Sequence, residues 1–415
     1  MPRRQDVEQV GHESLCLVET CLSNDDTQSL CPLSRVVLGR STVGMHVAQS
    51  AGMSAATPTG YILFFYAVDV AEAVNLPALD DLLGGTTRAT PLVPRSTAPV
   101  YLQYQQPPIV IDGGAIDIPD TEIFRARFKV FDYGVVSVAL RREFSGEWAD
   151  LVRLVADLMS NDALERAAER ACTEFVRRIG PALARPQSGT LSEDYLVVAV
   201  TDTFMTGEQL LRVRGAEVAQ MVVGEREPLS TQEREEILRH RMSYLEGDLL
   251  VPAWSAAFLY GGNAGAESTL DILEFANSQL LEFRYYDQRL DADLTRIYAE
   301  LQAARPYGIV IGRRYEHPAR QLHSLFIEVS ELTERTENAL KFIGDAHAAR
   351  LFALVAARLG LSAWKASVRD KLELLDSIYR FTVEQSAMAR GHMLELTIVL
   401  ILVFELALVF LGVLS

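Results

Sequence analysis

The sequence predicts an α+β protein. It should hold an N-terminal βαββαβ domain, ferredoxin-like or similar, then a long-helix antiparallel coiled-coil domain and a C-terminal transmembrane helix. Three observations lead there: β-branched and aromatic runs within 61–140, alternating spacings of three and four after position 208, and an apolar stretch at the carboxyl end. The 415 residues carry 39 Lys+Arg against 55 Asp+Glu, a net charge of −16, and 49% are hydrophobic. That composition excludes a disordered, collagen-like or disulfide-stapled chain. The acidic excess argues against broad nucleic-acid binding, which needs a positive footprint.

Residues 1–56 are polar and small and read as a disordered tail. His12, Cys16, Cys21 and Cys31 lie there, but their spacings fit no zinc knuckle, and no CxxC occurs. The α+β domain is expected over 57–205. Tyr61–Val68 (YILFFYAV) reads as a strand and LPALDDLL at 76–83 as a helix. A Pro- and Gly-rich passage follows, with a weak strand near Val100–Tyr104 completing the pattern. Phe124–Leu140 reads as strand again, with Asp132 and Gly134 marking a bend or hairpin; Glu147–Arg178 is helical and Tyr195–Val200 closes the set.

From Glu208 onward no strand is expected, and 206–392 reads as helical coiled coil. One seam runs Leu273, Ala276, Leu280, Phe283, Asp287, Leu290, Leu294, Ile297, Leu301. A second runs from Leu322 to Ala346 and a third from Val368 through Leu372, Leu375 and Tyr379 to Met393. Pro306, Gly308 and Gly360 break the chain between them, giving an antiparallel hairpin plus a third helix that runs into the bilayer.

Residues 393–415 form the expected anchor. Leu394 to Leu414 holds sixteen Leu, Ile, Val or Phe in twenty-one positions, about 31 Å of helix against a hydrocarbon core of ~30 Å. Sixteen such residues outweigh the single carboxylate of Glu405 on an insertion scale. Arg380, Arg390 and His392 precede the run and no Lys or Arg follows it. The body should therefore sit in the cytoplasm, under the inner membrane, as a single-pass tail-anchored protein. The amino-terminal MPRRQDVEQVGHESL lacks the apolar stretch of a signal peptide.

Chemistry-bearing motifs are absent: no GxxxxGK[ST], no GxGxxG after a strand, no GxSxG, no HExxH. No catalytic residue, cofactor or resident metal is expected. The richest polar cluster is Leu281–Leu294, where Asp287 and Asp291 share a helix face, with Arg284 and Tyr285 or Tyr286 beside them. The pair suits a divalent cation or a basic partner segment. It suits better a register-fixing acid at Asp287 paired with an arginine across the hairpin and a solvated Asp291. Glu405 suits self-association of the span, with snorkelling or protonation without a function, or ion or proton handling, as alternatives. Arg125, Arg127 and Lys129 alternate onto one strand face, which suits either local RNA contact or plain solvation.

Several stretches resemble the bacterial branch of the required-for-meiotic-nuclear-division proteins, also called YagE-like. They are Phe131–Val136 (FDYGVV), Val218–Glu235 (VAQMVVGEREPLSTQERE), Tyr244–Leu250 (YLEGDLL), Leu273–Asp287 (LEFANSQLLEFRYYD) and His392–Glu405 (HMLELTIVLILVFE). The sequence departs from that pattern at Ser137–Leu140 and at Leu396–Thr397, where relatives carry an aromatic residue. The resemblance implies a C-terminal anchor, no established catalytic residues, and partners such as ribosomes held at a membrane. The expected role is a homo-oligomeric, non-enzymatic scaffold that holds a protein or ribosome at the lipid bilayer. A metal- or proton-linked membrane module is the alternative.

Overall fold

The computed structural model describes residues 57–84, 107–118, 123–187, 191–203, 205–303, 326–327, 329–330 and 346–410. The tail at 1–56, the weak strand near 100–104 and most of the second helical seam at 322–346 lie outside the described residues.

Strand β1 (Thr59–Asp69) is central. It pairs antiparallel with β5 (Val135–Ser145) on one side and with β7 (Ser192–Val200) on the other. Its alternation serves two cores at once. Ile62, Phe64 and Tyr66 enter one apolar cluster, while Tyr61, Leu63, Phe65 and Ala67 enter another. Side chains that alternate across a pleat fill both faces only when both faces are covered, so β1 reads as an unbroken apolar run.

Beyond β5 lie β4 (Phe124–Val130) and the edge strand β3 (Ile109–Ile116). Beyond β7 lie β9 (Ala256–Tyr260), parallel to it, and β8 (Leu249–Pro252), antiparallel to β9. The mixed sheet thus runs β3-β4-β5-β1-β7-β9-β8, and β2 (Ala71–Val74) pairs separately with β6 (Leu183–Pro186).

β5 lies between β1 and β4 and is antiparallel to each, so β1 and β4 run parallel with one strand between them, the pairing a split βαβ unit requires. The helix after β1, α1 (Leu76–Leu82), is only two turns long, and the chain re-enters the sheet through the β3–β4 pair. Two other expectations need correcting. Strands also exist past 208, and a boundary at 205 cuts through the sheet, because β9 hydrogen-bonds to β7. The fold is α+β built on one large mixed sheet.

The β4–β5 turn forms where Asp132 and Gly134 mark it. Gly134 has φ +100, and a Cβ there would lie 1.7 Å from the Ala71 carbonyl oxygen, so only glycine fits.

Helices α2 (Trp148–Met159) and α3 (Ala163–Ile179) divide the single expected helix at 160–162 and cover the first face. α4 (Gly207–Val223) joins them, capped at both ends: Thr206 and Gln209 form a reciprocal capping box, and Gly224 closes the helix in the left-handed region. α5 (Thr231–Arg239) packs beside it, its first turn capped by Ser230.

The second face is covered by α6 (Asn263–Ala303), α7 (Ala346–Arg358) and α8 (Leu361–Phe410). The first seam is buried as its spacing predicts: Leu273, Ala276, Leu280, Phe283, Leu290, Leu294 and Ile297 are all in the core. Its partners differ from the expectation. The first half of α6 lies on β1 and β7, and the second half lies along α8. Residues 284, 287 and 291 of α6 meet 364, 367 and 371 of α8, a constant offset of eighty, so these two helices run parallel. The segment expected to pair antiparallel with α6, 322–346, lies mostly outside the described residues. A three-and-four spacing records a buried stripe and leaves the partner unspecified.

Gly360, at φ +64, makes the turn from α7 into α8 where the sequence breaks. Among the residues described with their side chains, no single helix is long and apolar enough to cross a membrane. The bent pair Ala346–Arg358 and Leu361–Phe381, at 71°, passes by length and composition. The expected span is helical through Phe410, and side chains 394–408 are described within it. Those fifteen residues amount to about 22 Å, short of the ~30 Å core. Leu414 lies outside the described residues.

Candidate functional site: a buried charged seam under the long helix

The polar side chains that matter converge where α6 crosses the sheet. Lys129 on β4 opposes Ser137 on β5, which opposes Ala67 on β1, which opposes Glu193 on β7. Cross-strand partners share a face, so this row points as one line at α6. A row beginning with a lysine and ending with a glutamate would be costly under an apolar helix. α6 answers it with a polar stripe at Asp271, Glu274, Ser278 and Glu282, spaced three, four and four.

At one end, the Lys129 ammonium is 3% exposed, 2.8 Å from Asp271 Oδ1 and 2.5 Å from Glu274 Oε2. Burial alone would lower its pKa, but Glu274 and Asp271 outweigh that and raise it. Arg127 adds a second cation, 3.4 Å from the same Glu274 oxygen. The expected basic face of Arg125, Arg127 and Lys129 is therefore divided. Arg125 is exposed, whereas Lys129 is enclosed and spent on acids of α6. Alternation placed the side chains correctly, but the face it placed them on is covered.

Midway, the Tyr133 hydroxyl lies 2.7 Å from Ser278 Oγ, and burial pushes the phenol well above its ordinary value. Asn277 Nδ2 donates to the Glu193 carbonyl oxygen at 3.2 Å. Buried oxygens on Asp69, Ser137, Glu274 and Asn277 find no hydrogen-bond partner among the described residues. The interface is thus polar beyond what its own pairs satisfy.

Two acids in this seam hold their protons unusually well. Burial pushes Asp69, the last residue of β1, up to about 7, against a backbone hydrogen bond from Ala71 and the charge of Arg289. Burial likewise raises Glu193 to about 7, against the Arg284 guanidinium that pairs with it and with the help of neighbouring Asp194.

At the α6–α8 end, Arg284 bonds Glu193 and lies over the Trp364 ring at 5.7 Å. Tyr285 sits edge-on to Tyr286 at 5.2 Å, and burial raises its phenol against the charge of Arg289. Asp287 accepts from Ser367 Oγ at 2.6 Å, and the Lys371 ammonium bridges Asp287 at 2.8 Å and Asp291 at 2.7 Å. Asp287 and Asp291 therefore share a lysine. The partner is a lysine of α8 rather than the expected arginine; Asp291, its side chain 60% exposed, is solvated and also reaches that lysine. Glu405 lies on the exposed distal part of α8.

The sequence reading singled out Arg284, Tyr285, Asp287 and Asp291, and these lie together at one end of the seam. It missed Asp69, Glu193, Glu274 and the burial of Lys129. A signal existed. Polar residues of α6 form a second stripe at helical spacing beside the apolar one, as a helix covered on two sides requires. Among the described residues, no group of three His, Cys, Asp or Glu side chains is placed to hold a metal ion.

Fold and seam together define a class: a mixed sheet with helices on both faces, its second helical layer held by enclosed ion pairs. A family model described as "Uncharacterized protein MJ0711, N-terminal domain" matches residues 59–267, half of the chain, and the chain belongs to that family. The uncharacterized protein MJ0711 of Methanocaldococcus jannaschii is 25% identical over 174 residues, which cover 42% of this chain and 52% of the relative. The chain thus spans about half the length of the curated relative it matches. No solved structure matches. Nothing in these comparisons supports the meiotic-nuclear-division resemblance. The match begins at the first residue of β1 and ends in the first turn of α6. The sheet side of the seam lies inside the shared region and the helix side beyond it.

Proposed function

We propose that this protein is a non-catalytic tether, a tail-anchored scaffold whose α+β body stands at the inner face of a membrane and holds a partner there. The observation that carries this reading is the distal part of α8. Leu394, Leu396, Ile398, Val399, Leu400, Ile401, Leu402, Val403, Phe404 and Leu406 are each between 52 and 68% exposed. At ~100° per residue these positions cover the whole circumference of the helix. A groove on another protein covers one stripe of a helix, whereas lipid covers all sides. In the sequence the apolar run reaches Leu414, long enough to cross, and Arg380 and Arg390 before it favour a cytoplasmic body. The motif resemblance adds a ribosome or protein as the tethered partner and self-association through the helices as the assembly.

The metal-linked alternative is the weaker one, because the two carboxylates it would use are bridged by Lys371. The test is alkaline carbonate extraction of membranes from cells making the full chain. The protein should stay in the pellet, and Leu400→Arg with Val403→Arg should release it. Recovery of the unaltered chain in the supernatant overturns the anchor.

A further inference from the structure

Three layers meet at Glu193. The acid belongs to β7, the guanidinium that pairs with it is Arg284 of α6, and the ring over that guanidinium is Trp364 of α8. We propose that Glu193, Arg284 and Trp364 form a proton-sensitive latch that sets how firmly α8 is held against the body.

The geometry gives Arg284 an exit. Its side chain is 32% exposed while that of Glu193 is 9% exposed, so the cation can swing into water and the acid cannot follow. Arg284 Nε has no hydrogen-bond partner among the described residues, so its hold rests on one carboxylate and one ring face. Among the described residues, Arg284 is the cation that acts on Glu193. Arg284 and Asn277 approach from α6, β1 opposes it with Ala67, and its own strand adds the like charge of Asp194.

Linkage fixes the direction. Arg284 favours the ionised acid; with Arg284 withdrawn, burial and Asp194 remain, and both favour the proton. Proton uptake and release of Arg284 therefore promote each other. The carboxyl titrates at about 7, so the latch works near neutral pH. A second tie, Lys371 on Asp287 and Asp291, lies two turns further along α8, so the helix loosens at its first turns without leaving. The latch stands whether or not the distal run meets lipid.

Hydrogen–deuterium exchange on the full chain in detergent micelles reads it. Corrected for intrinsic rates, peptides covering 361–380 should exchange roughly 10-fold faster at about pH 5.5 than at about pH 8, the size of a lost charge-assisted contact. Over the same range the thermal midpoint should rise, because protonation of a buried acid stabilises the fold as a whole. Glu193→Gln should exchange fast at both pH values. Should that variant fail to fold by circular dichroism, Trp364→Leu replaces it, with fast exchange at pH 8 and a weakened pH response. Exchange in 361–380 that ignores pH in the unaltered chain overturns the latch, as does an unaltered pH response in a folded Glu193→Gln or in Trp364→Leu. Carbonate extraction would be unaffected by either outcome, so failure of the latch and failure of the anchor are told apart.

Discussion

Lys129 and Glu274 meet at 2.5 Å with both side chains sealed from water, one on a strand of the sheet and the other on the helix that covers it. A pair in this setting gives little net stability, because taking both charges out of water costs nearly what their attraction returns. It does specify placement, because neither charge has water to turn to if the strand and the helix part.

Breaking the pair should therefore cost far more than replacing it. Lys129→Met, which leaves the buried Glu274 with only the longer contact to Arg127, should lower stability by about 3 kcal/mol, read as a drop in the urea midpoint. Combining it with Glu274→Leu should recover most of that loss. A double variant as weak as the single one contradicts this account.

Asp69 and Glu193 predict how stability depends on pH. Both carboxyls are raised to about 7 in the folded protein, whereas in the unfolded chain they titrate near 4. Folding therefore takes up protons between those values, and stability should fall as pH rises from about 4.5 to about 7, then level off. The change is on the order of 4 kcal/mol for each acid as an upper bound. Thermal scans across that range check it, and Asp69→Asn should remove about half of the slope.

Gly134 offers a steric test. An alanine there would place its Cβ 1.7 Å from a backbone oxygen at φ +100. Gly134→Ala should cost on the order of 3 kcal/mol or more, with the β4–β5 turn and the β2 segment shifting together. A neutral result in chemical denaturation would mean the turn can move away from Ala71.

Lys371 should behave as the second tie of α8. Burial lowers its proton affinity, but its hydrogen bonds to Asp287 and Asp291 more than offset this. Lys371→Met leaves two carboxylates facing each other and should cost roughly 1–3 kcal/mol. Adding Asp287→Asn should return part of it, measured as a double-mutant cycle on thermal midpoints.

Much of this was legible in the sequence, for reasons that name the exceptions. β1 and the β4–β5 pair stand out because their runs are long, β-branched and aromatic. The Gly360 break and the buried stripe of α6 follow from spacing. β8 and β9 escaped because four and five apolar residues show no period, and a strand buried on both faces looks like any short greasy segment. Asp287 could be singled out because it interrupts an apolar stripe. Glu274 and Ser278 lie on the other stripe, where polar residues ordinarily mean water; only the sheet beneath α6 makes them interior. Lys129 shows the same limit, since alternation gives the face and is silent about what covers it.

α8 continues without interruption from Leu361 to Phe410. Its last described packing contact with the body is at Tyr379, and the exposed apolar residues start at Leu394. The two lie fifteen positions apart on the helix, about 22 Å of unbroken rod. Whatever grips the far end is thus kept at a set stand-off from the sheet, with no joint along the way that would let the body fold back onto it.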